Sequence, residues 1–241
     1  MKPSNITFIL VRPRYAGNIG STARALRNMG FSKLSLVLPA ALPSHPEARR
    51  LAVGAAPLLK KAKVFDSLEE AVKGIHYLIG TSRRTGKHRQ DFVTLPDLAT
   101  KIPVGRKIGI LFGPEERGLS NSDLALCHLV TMIPSNPEFP SLNLAQSVMV
   151  VAYQLQIAQR EGAGEDRPEE IPLAPLDKVE AMYQHLEKML REIKFFANDN
   201  SFHMMRAIRQ IFGRTGLTER EVRILRGISR QVLWMVTQEK M

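Results

Sequence analysis

The stretch IGILFGPEERGLSNSDLALCHLVTMIPSNPEFPSLNLAQ, Ile108–Gln146, passes twice from an apolar run through a loop rich in turn formers into a helical pattern. Ile108–Phe112 is short, apolar along its length and stopped by Gly113-Pro114, as expected of a buried strand. Ser120–Cys127 then has helical composition, and Val130–Ile133 is a second β-rich run. It leads into SNPEFPSLNLAQ, where two prolines stiffen the backbone and Asn143 stands where a helix N-cap belongs. Strand, helix, strand, helix in that order predicts an α/β fold with a mainly parallel sheet.

The same alternation extends toward the N-terminus. Ile6–Val11, Leu34–Leu38, Lys63–Phe65 and Tyr77–Gly80 read as strands, and Gly17–Gly30, Glu47–Lys61, Ser67–Lys73 and Leu95–Lys101 as helices. Asn143–Arg160 closes the region with Leu144, Val148, Val151 and Leu155 on one apolar stripe. Residues 1–160 therefore read as one α/β domain. Residues 161–175, EGAGEDRPEEIPLAP, are acidic, rich in Pro and Gly, and read as a linker. Residues 176–241 read as a small all-α domain. Its first helix carries Leu176, Val179, Tyr183, Leu186, Leu190 and Ile193, and its second is Phe202–Phe212. The third opens on the capping-box pair Thr218 and Glu221, with Val222, Leu225, Ile228 and Val232 on one face and Arg223, Arg226 and Arg230 on another.

Charge is unevenly spread. The 241 residues carry a net +11, with 21 Lys+Arg against 10 Asp+Glu in residues 1–160, 1 against 5 in the linker and 12 against 8 beyond it. Two basic blocks flanking an acidic one favour a polyanionic partner, nucleic acid or an anionic membrane surface. No apolar run approaches the roughly 18 residues of a membrane-spanning helix, so no transmembrane helix is expected; no membrane is expected as a partner. The first apolar run ends at Arg12 and reads as a strand, not a signal peptide. Cys127 is the single cysteine, which rules out an internal disulfide and fits a cytoplasmic home. The six histidines are scattered without metal-ligand spacing, so no metal is expected.

In parallel α/β sheets ligands bind beyond the carboxyl ends of the strands, and four post-strand loops here are unusual. After the first strand, Gly17 and Gly20 open a helix start where backbone amides can approach a ligand, with Arg24, Arg27 and Asn28 off its buried stripe. The dinucleotide fingerprint G-x-G-x-x-G is absent, the second strand ends without an acid for a ribose diol, and no Walker P-loop occurs. After the fourth strand, GTSRRTGKHR places Arg83, Arg84, Lys87, His88 and Arg89 on one loop, a cluster suited to a phosphate backbone. FGPEERGL and SNPEFPSLNLAQ complete the set, the latter offering Ser141 and Asn143 at a helix N-terminus.

GNIGSTARALRNMG, FGPEERGLSN and IPSNPEFPSLNLAQSVMVVAY together resemble the three signature motifs of SPOUT-superfamily RNA ribose 2′-O-methyltransferases, in order and over residues 5–160. The closest likeness is to the TrmJ branch, bacterial tRNA (cytidine/uridine-2′-O)-methyltransferases acting in the anticodon loop at tRNA position 32, and LTEREVRILRGI resembles that branch's helical extension. The resemblance implies a deep C-terminal trefoil knot, a homodimer, S-adenosylmethionine (SAM) as methyl donor and tRNA as partner. By motif position it implies that Thr81, Ser82, Arg83, Gly113, Ile133, Pro140, Ser141 and Leu142 line the SAM site and that Asn143 supports it. Arg24 would be the catalytic arginine and Ser141 would orient the hydroxyl or the donor, with Asn18, Arg24, Arg84, Glu115 and Arg117 toward the substrate. The loop reads Gly-Pro-Glu-Glu-Arg where some relatives read Gly-Arg-Glu-Arg, so Glu116 and Arg117 both stand as candidates to face the substrate.

Two other readings share this fold: an rRNA 2′-O-methyltransferase, and a knotted RNA-binding protein without catalysis. The first strand begins within about five residues of Met1, so the N-terminal RNA-binding extension usual in the former is expected to be absent. Arg24, Ser141 and Asn143 stand where the active family has them, against the latter.

Overall fold

In the computed structural model, which describes residues 2–83, 92–161, 173–196, 200–213 and 216–239, seven strands form one sheet. They are β1 (Ile6–Val11), β2 (Leu34–Val37), β3 (Lys63–Phe65), β4 (Tyr77–Thr81), β5 (Phe92–Thr94), β6 (Ile108–Phe112) and β7 (Leu129–Met132), in the order β3-β2-β1-β6-β4-β7-β5. Every pairing is parallel. Unbroken burial along β2 and β6, and near-complete burial along β1, is what a parallel sheet covered on both faces requires. β6 lies between β1 and β4, and β7 between β4 and β5, so spatial order departs from chain order.

Among the described residues, seven α-helices accompany the sheet: α1 (Ala16–Asn28), α2 (Pro46–Leu51), α3 (Ala56–Lys61), α4 (Leu68–Ala71), α5 (Leu98–Lys101), α6 (Asn121–Ala125) and α7 (Leu144–Glu161). The main core gathers one sheet face against α1 and α7. Phe8 meets Phe31 edge-on at 5.1 Å and stacks on Phe112 at 6.0 Å, and the predicted α7 stripe of Leu144, Val148, Val151 and Leu155 is buried.

Some expectations change. β5 has no counterpart in the sequence reading, and β2 ends at Val37 because Leu38 turns to a φ of 46°. Ile133 lies just past β7. The single helix expected over 47–61 is two, α2 and α3, with Gly54 at a φ of +74° between them. Gly17 and Gly20 serve the packing of α1 on α2: a Cβ on Gly20 would stand 2.1 Å from the Ala48 carbonyl oxygen, and one on Gly17 3.0 Å from Leu51. They make room for a helix, not for a ligand.

At the other end of the sheet, the His128 side chain extends the β4–β7 ladder. Its Nδ1 accepts from the Leu78 amide at 3.1 Å while its own amide donates to the Leu78 carbonyl at 2.8 Å, and the ring stacks on Tyr77 at 4.9 Å. Enclosure of the ring pushes its pKa down to about 4.

The chain divides into two units, Met1–Glu170 and Ile171–Met241. The second contains α8 (Leu176–Glu192), α9 (Ser201–Gly213) and α10 (Glu219–Glu239) around Val179, Met182, Tyr183, Met205 and Val222. Arg209 grips Glu180 through two bonds of 2.6 and 2.7 Å and lies over the Tyr183 ring at 4.4 Å. The expected capping box forms, with the Thr218 amide donating to Glu221 at 2.7 Å and the Glu221 amide to the Thr218 hydroxyl at 3.2 Å. The α10 stripe differs by one place: Ile228 is 52% exposed, and Ser229 takes the buried position, its hydroxyl donating to the Leu225 carbonyl at 3.0 Å. Most of the expected linker, residues 162–172, lies outside the described residues, as do Arg84, Lys87, His88 and Arg89.

Candidate active site

Because β6, β4 and β7 are neighbours, their carboxyl ends stand side by side, and the chain leaving them encloses one cavity of about 860 Å³. Thr81, Ser82 and Arg83 enter it from the end of β4. Gly113, Glu115 and Arg117 enter from the turn after β6, and Ile133, Pro140, Ser141 and Leu142 from the loop after β7. Three of the four loops singled out in the sequence therefore meet. Asn18, Arg24 and Asn143 lie outside the lining, and Arg84 lies outside the described residues. The lining also includes residues that sequence reasoning missed: Arg12, Phe112, Thr131, Leu144 and Ser147.

Each wall has a local cause. The turn after β6 is tight enough that a Cβ on Gly113 would stand 2.1 Å from the Leu119 amide nitrogen, and Gly118 closes it at a φ of +64°. The loop after β7 braces itself: the Glu138 amide donates to Asn136 Oδ1 at 3.0 Å and the Ser135 hydroxyl to the Pro140 carbonyl at 3.2 Å. Behind both, Arg12 holds a φ of 51° and pairs with the buried carboxylate of Asp123. That carboxylate also accepts from the Ser120 amide at 2.8 Å, so one acid both caps α6 and anchors the end of β1.

Glu115 joins the first two motifs. Its carboxylate accepts from the Arg14 amide at 2.9 Å, the Tyr15 amide at 3.3 Å and Asn18 Nδ2 at 2.7 Å, while Arg14 pairs with Glu116. Burial by itself pushes the Glu115 pKa up; the bond from Asn18 and those from backbone amides outweigh it and leave the acid below its ordinary value. Asn18 Oδ1 in turn accepts from Asn143 Nδ2 at 2.9 Å, and Asn143 Oδ1 accepts from the Ala145 and Gln146 amides at 2.8 and 3.3 Å. Asn143 thus caps α7 and, through Asn18, ties the third motif to Glu115. The relay fixes the orientation of both amides, since each has its donor and acceptor committed.

Arg24 is exposed on α1, six residues and therefore about 9 Å along the helix from Asn18. Among the described residues no group of three or more His, Cys, Asp or Glu is placed to hold a metal ion. No helix there is long and apolar enough to cross a membrane. The cavity combines a polar rim, with Arg83, Glu115 and Arg117, and a buried apolar floor of Phe112, Leu119 and Leu144. That arrangement suits a ligand with one flat apolar part and one charged part.

Comparison with known proteins gives consistent matches. Residues 5–153 match the model of the SpoU rRNA Methylase family, and residues 177–241 that of the tRNA methyltransferase TrmJ C-terminal domain. A relative from Pectobacterium atrosepticum, a tRNA (cytidine/uridine-2'-O-)-methyltransferase TrmJ, is 38% identical over 233 residues, 93% of this chain and 95% of its own. One from Pseudomonas aeruginosa, named for cytidine, uridine and adenosine, is 36% identical over 92% of this chain and 91% of its own. Among solved structures, TrmJ from Z. mobilis ZM4 superposes with a TM-score of 0.81 at 35% identity, over 94% of this chain and 98% of its own. The SpoU methyltransferase AviRb of Streptomyces viridochromogenes, solved with the cofactor AdoMet, gives 0.51 at 25% identity over 65% of this chain and 61% of its own.

Proposed function

The chain belongs to the SpoU methylase family, in its TrmJ branch, and on that premise we propose that it transfers a methyl group from SAM to the ribose 2′-oxygen of cytidine or uridine in the tRNA anticodon loop, at position 32. The observation that carries the reading is that the second and third matched motifs meet the loop after β4 around one cavity, with the first motif tied to both through Asn18. The TrmJ-type tail at residues 177–241 favours tRNA over rRNA, and the intact cavity favours catalysis over binding alone.

The cavity fits the donor in size and in its division into polar rim and apolar floor, and it contains a buried hydroxyl, on Thr131, that has no partner among the described residues. Bound there, SAM supplies an electrophilic methyl on a sulfonium. Thr81, Ser82, Arg83, Gly113, Ile133, Pro140, Ser141 and Leu142 hold it, with Asn143 fixing the loop from behind. Ser141, exposed in the loop just before α7, orients the 2′-hydroxyl. Arg24 does not take that hydroxyl's proton, since a guanidinium is already protonated. It holds a phosphate of the RNA through its planar fork and polarises the hydroxyl, leaving the phosphate or solvent as proton acceptor. Asn18, Arg84, Glu115 and Arg117 face the RNA side of the site, and positioning supplies much of the acceleration.

The remaining features belong to the same proposal. β6, β7 and α7 thread a deep trefoil knot, a reading supported by the interleaved strand order. The protein acts as a homodimer through the exposed apolar pair Val150 and Tyr153 on α7. It works in the cytoplasm, where tRNA is matured, without a metal. Residues 1–160 catalyse, 161–175 link, and 176–241 grip the tRNA through the arginines of α10. Incubation with SAM and unmodified tRNA, followed by nucleoside mass spectrometry, tests the reaction. A 2′-O-methyl pyrimidine at that position is expected; methyl on a base nitrogen, or none, overturns it.

A further inference from the structure

Two threonines face each other across the parallel pairing of β4 and β7, Thr81 and Thr131, in direct register. Both line the cavity. Side chains alternate along a strand, and Thr81 and Thr131 share the sheet face of Ile79 and Leu129, which pack in the main core. Their hydroxyls are treated differently. Thr81 donates to the Leu111 carbonyl at 2.8 Å, so its hydroxyl is spent inside the sheet. Thr131 gives its carbonyl to the Ser82 amide at 3.0 Å, but its hydroxyl has no hydrogen-bond partner, and its neighbour in register on the other side is the apolar Val93. Thr131 is 0% exposed. Among the buried side-chain polar atoms without a partner in the described residues, it is the one that belongs to the cavity lining.

A buried hydroxyl left unsatisfied is unfavourable, and such groups in folded proteins usually await a water, an ion or a ligand. Its surroundings narrow the choice. Phe112, Leu119 and Leu144, all nearly inaccessible, form the apolar part of the same lining, while Arg83, Glu115, Glu116 and Arg117 supply the charged part. A zwitterionic amino-acid end would lose its hydration on the apolar side without a counter-charge. A purine would not, and its edge nitrogens can donate to or accept from a hydroxyl. We propose that Thr131 is a binding residue for the purine of the methyl donor, its hydroxyl satisfied only when the ligand is in place. The proposal rests on the methyl-donor reading above.

The test uses the full chain and Thr131→Val, which removes the hydroxyl but keeps the shape, with Thr131→Ser as the variant that restores it. Titration calorimetry measures binding of S-adenosylhomocysteine and of 5′-methylthioadenosine, which has the purine but lacks the amino-acid end. Thr131→Val is expected to weaken both ligands about 3- to 12-fold, within the range of one lost neutral hydrogen bond. Thr131→Ser should stay within about threefold of wild type for both, the same hydroxyl being present. The unliganded Thr131→Val protein should melt no lower than wild type, because an unpaired polar group has been removed; a merely structural threonine would lower it. Equal affinity of Thr131→Val and wild type overturns the assignment. So does a loss confined to S-adenosylhomocysteine, which would place the contact at the amino-acid end. If wild type itself binds neither ligand, the methyl-donor reading fails, whatever the variant does.

Discussion

Charged side chains around the cavity and those along α10 behave differently. Near the cavity they are largely committed to one another: Arg12 to Asp123, Arg14 to Glu116, and Glu115 to Asn18 and two loop amides. On α10, Arg226 and Arg230 are exposed without an ion pair or hydrogen-bond partner among the described residues. The same residue types thus build a site in one unit and remain available to a polyanion in the other. Net charge alone does not distinguish these uses; the presence of a fixed partner does.

Changes on the cavity side should have the largest effect. In Gly113→Ala the new methyl meets backbone 2.1 Å away, so the turn must shift. Methyl transfer is expected to fall by about two orders of magnitude or more, as when catalytic groups are misplaced by about 1 Å, and single-turnover assays with a melting curve check it. A Gly113→Ala enzyme of normal rate would mean that the committed loop does not define the site.

Arg24→Lys keeps the charge and loses the fork. A fall in kcat of about 30- to 100-fold is expected, about 2–3 kcal/mol, and turnover near that of wild type would sink the bidentate role. For the α10 side, Arg226→Gln combined with Arg230→Gln should weaken tRNA binding about tenfold near physiological salt and flatten the dependence of log K on log salt by about two charges. Affinity unchanged across the salt series would reduce those arginines to a solvated face and dissolve the contrast.

The smallest effect at neutral pH is acid sensitivity. His128 resists protonation in the fold down to about 4, whereas the unfolded chain takes up that proton near 6.5. Its contribution is therefore complete above about pH 6.5 and falls by about 2–3 kcal/mol on the way to pH 4. Glu115 is lowered instead, so its contribution is present above its ordinary range near 4.5 and is lost below it. Denaturation midpoints across pH should show the first loss, and His128→Gln should remove it; a curve flat between pH 6.5 and 4 would contradict the enclosure of the ring.

Much of the frame was legible in the sequence because continuous apolar runs such as ITFILV and IGILF leave few alternatives to a buried strand. β5 was not, since three residues carry no period. Gly54 falls inside the single helix expected over 47–61, and its positive φ divides α2 from α3. Ile228 and Ser229 show how a stripe stepped by three, three and four residues can choose the wrong neighbour when 222, 225, 229 and 232, stepped by three, four and three, fits the helix equally well. For the site, the loops were found through composition, but the Glu115–Asn18–Asn143 relay was not. Its partners are 97 and 125 residues apart, and no local pattern announces such a pair. The Thr131 hydroxyl was hidden for the opposite reason, because a threonine in a strand looks ordinary until its missing partner is noticed.

The interleaved order of the sheet has a consequence in time. β4 pairs with neither β3 nor β5; its two partners are β6 and β7, both later in the chain. A growing polypeptide that has passed Thr94 therefore holds a central strand with both edges waiting, and the cavity cannot close until β7 and α7 have emerged. Refolding should accordingly be slow, as expected where non-local pairing dominates, and ligand-binding competence should appear with its final phase. Birth of the pocket and completion of the fold would then be one event.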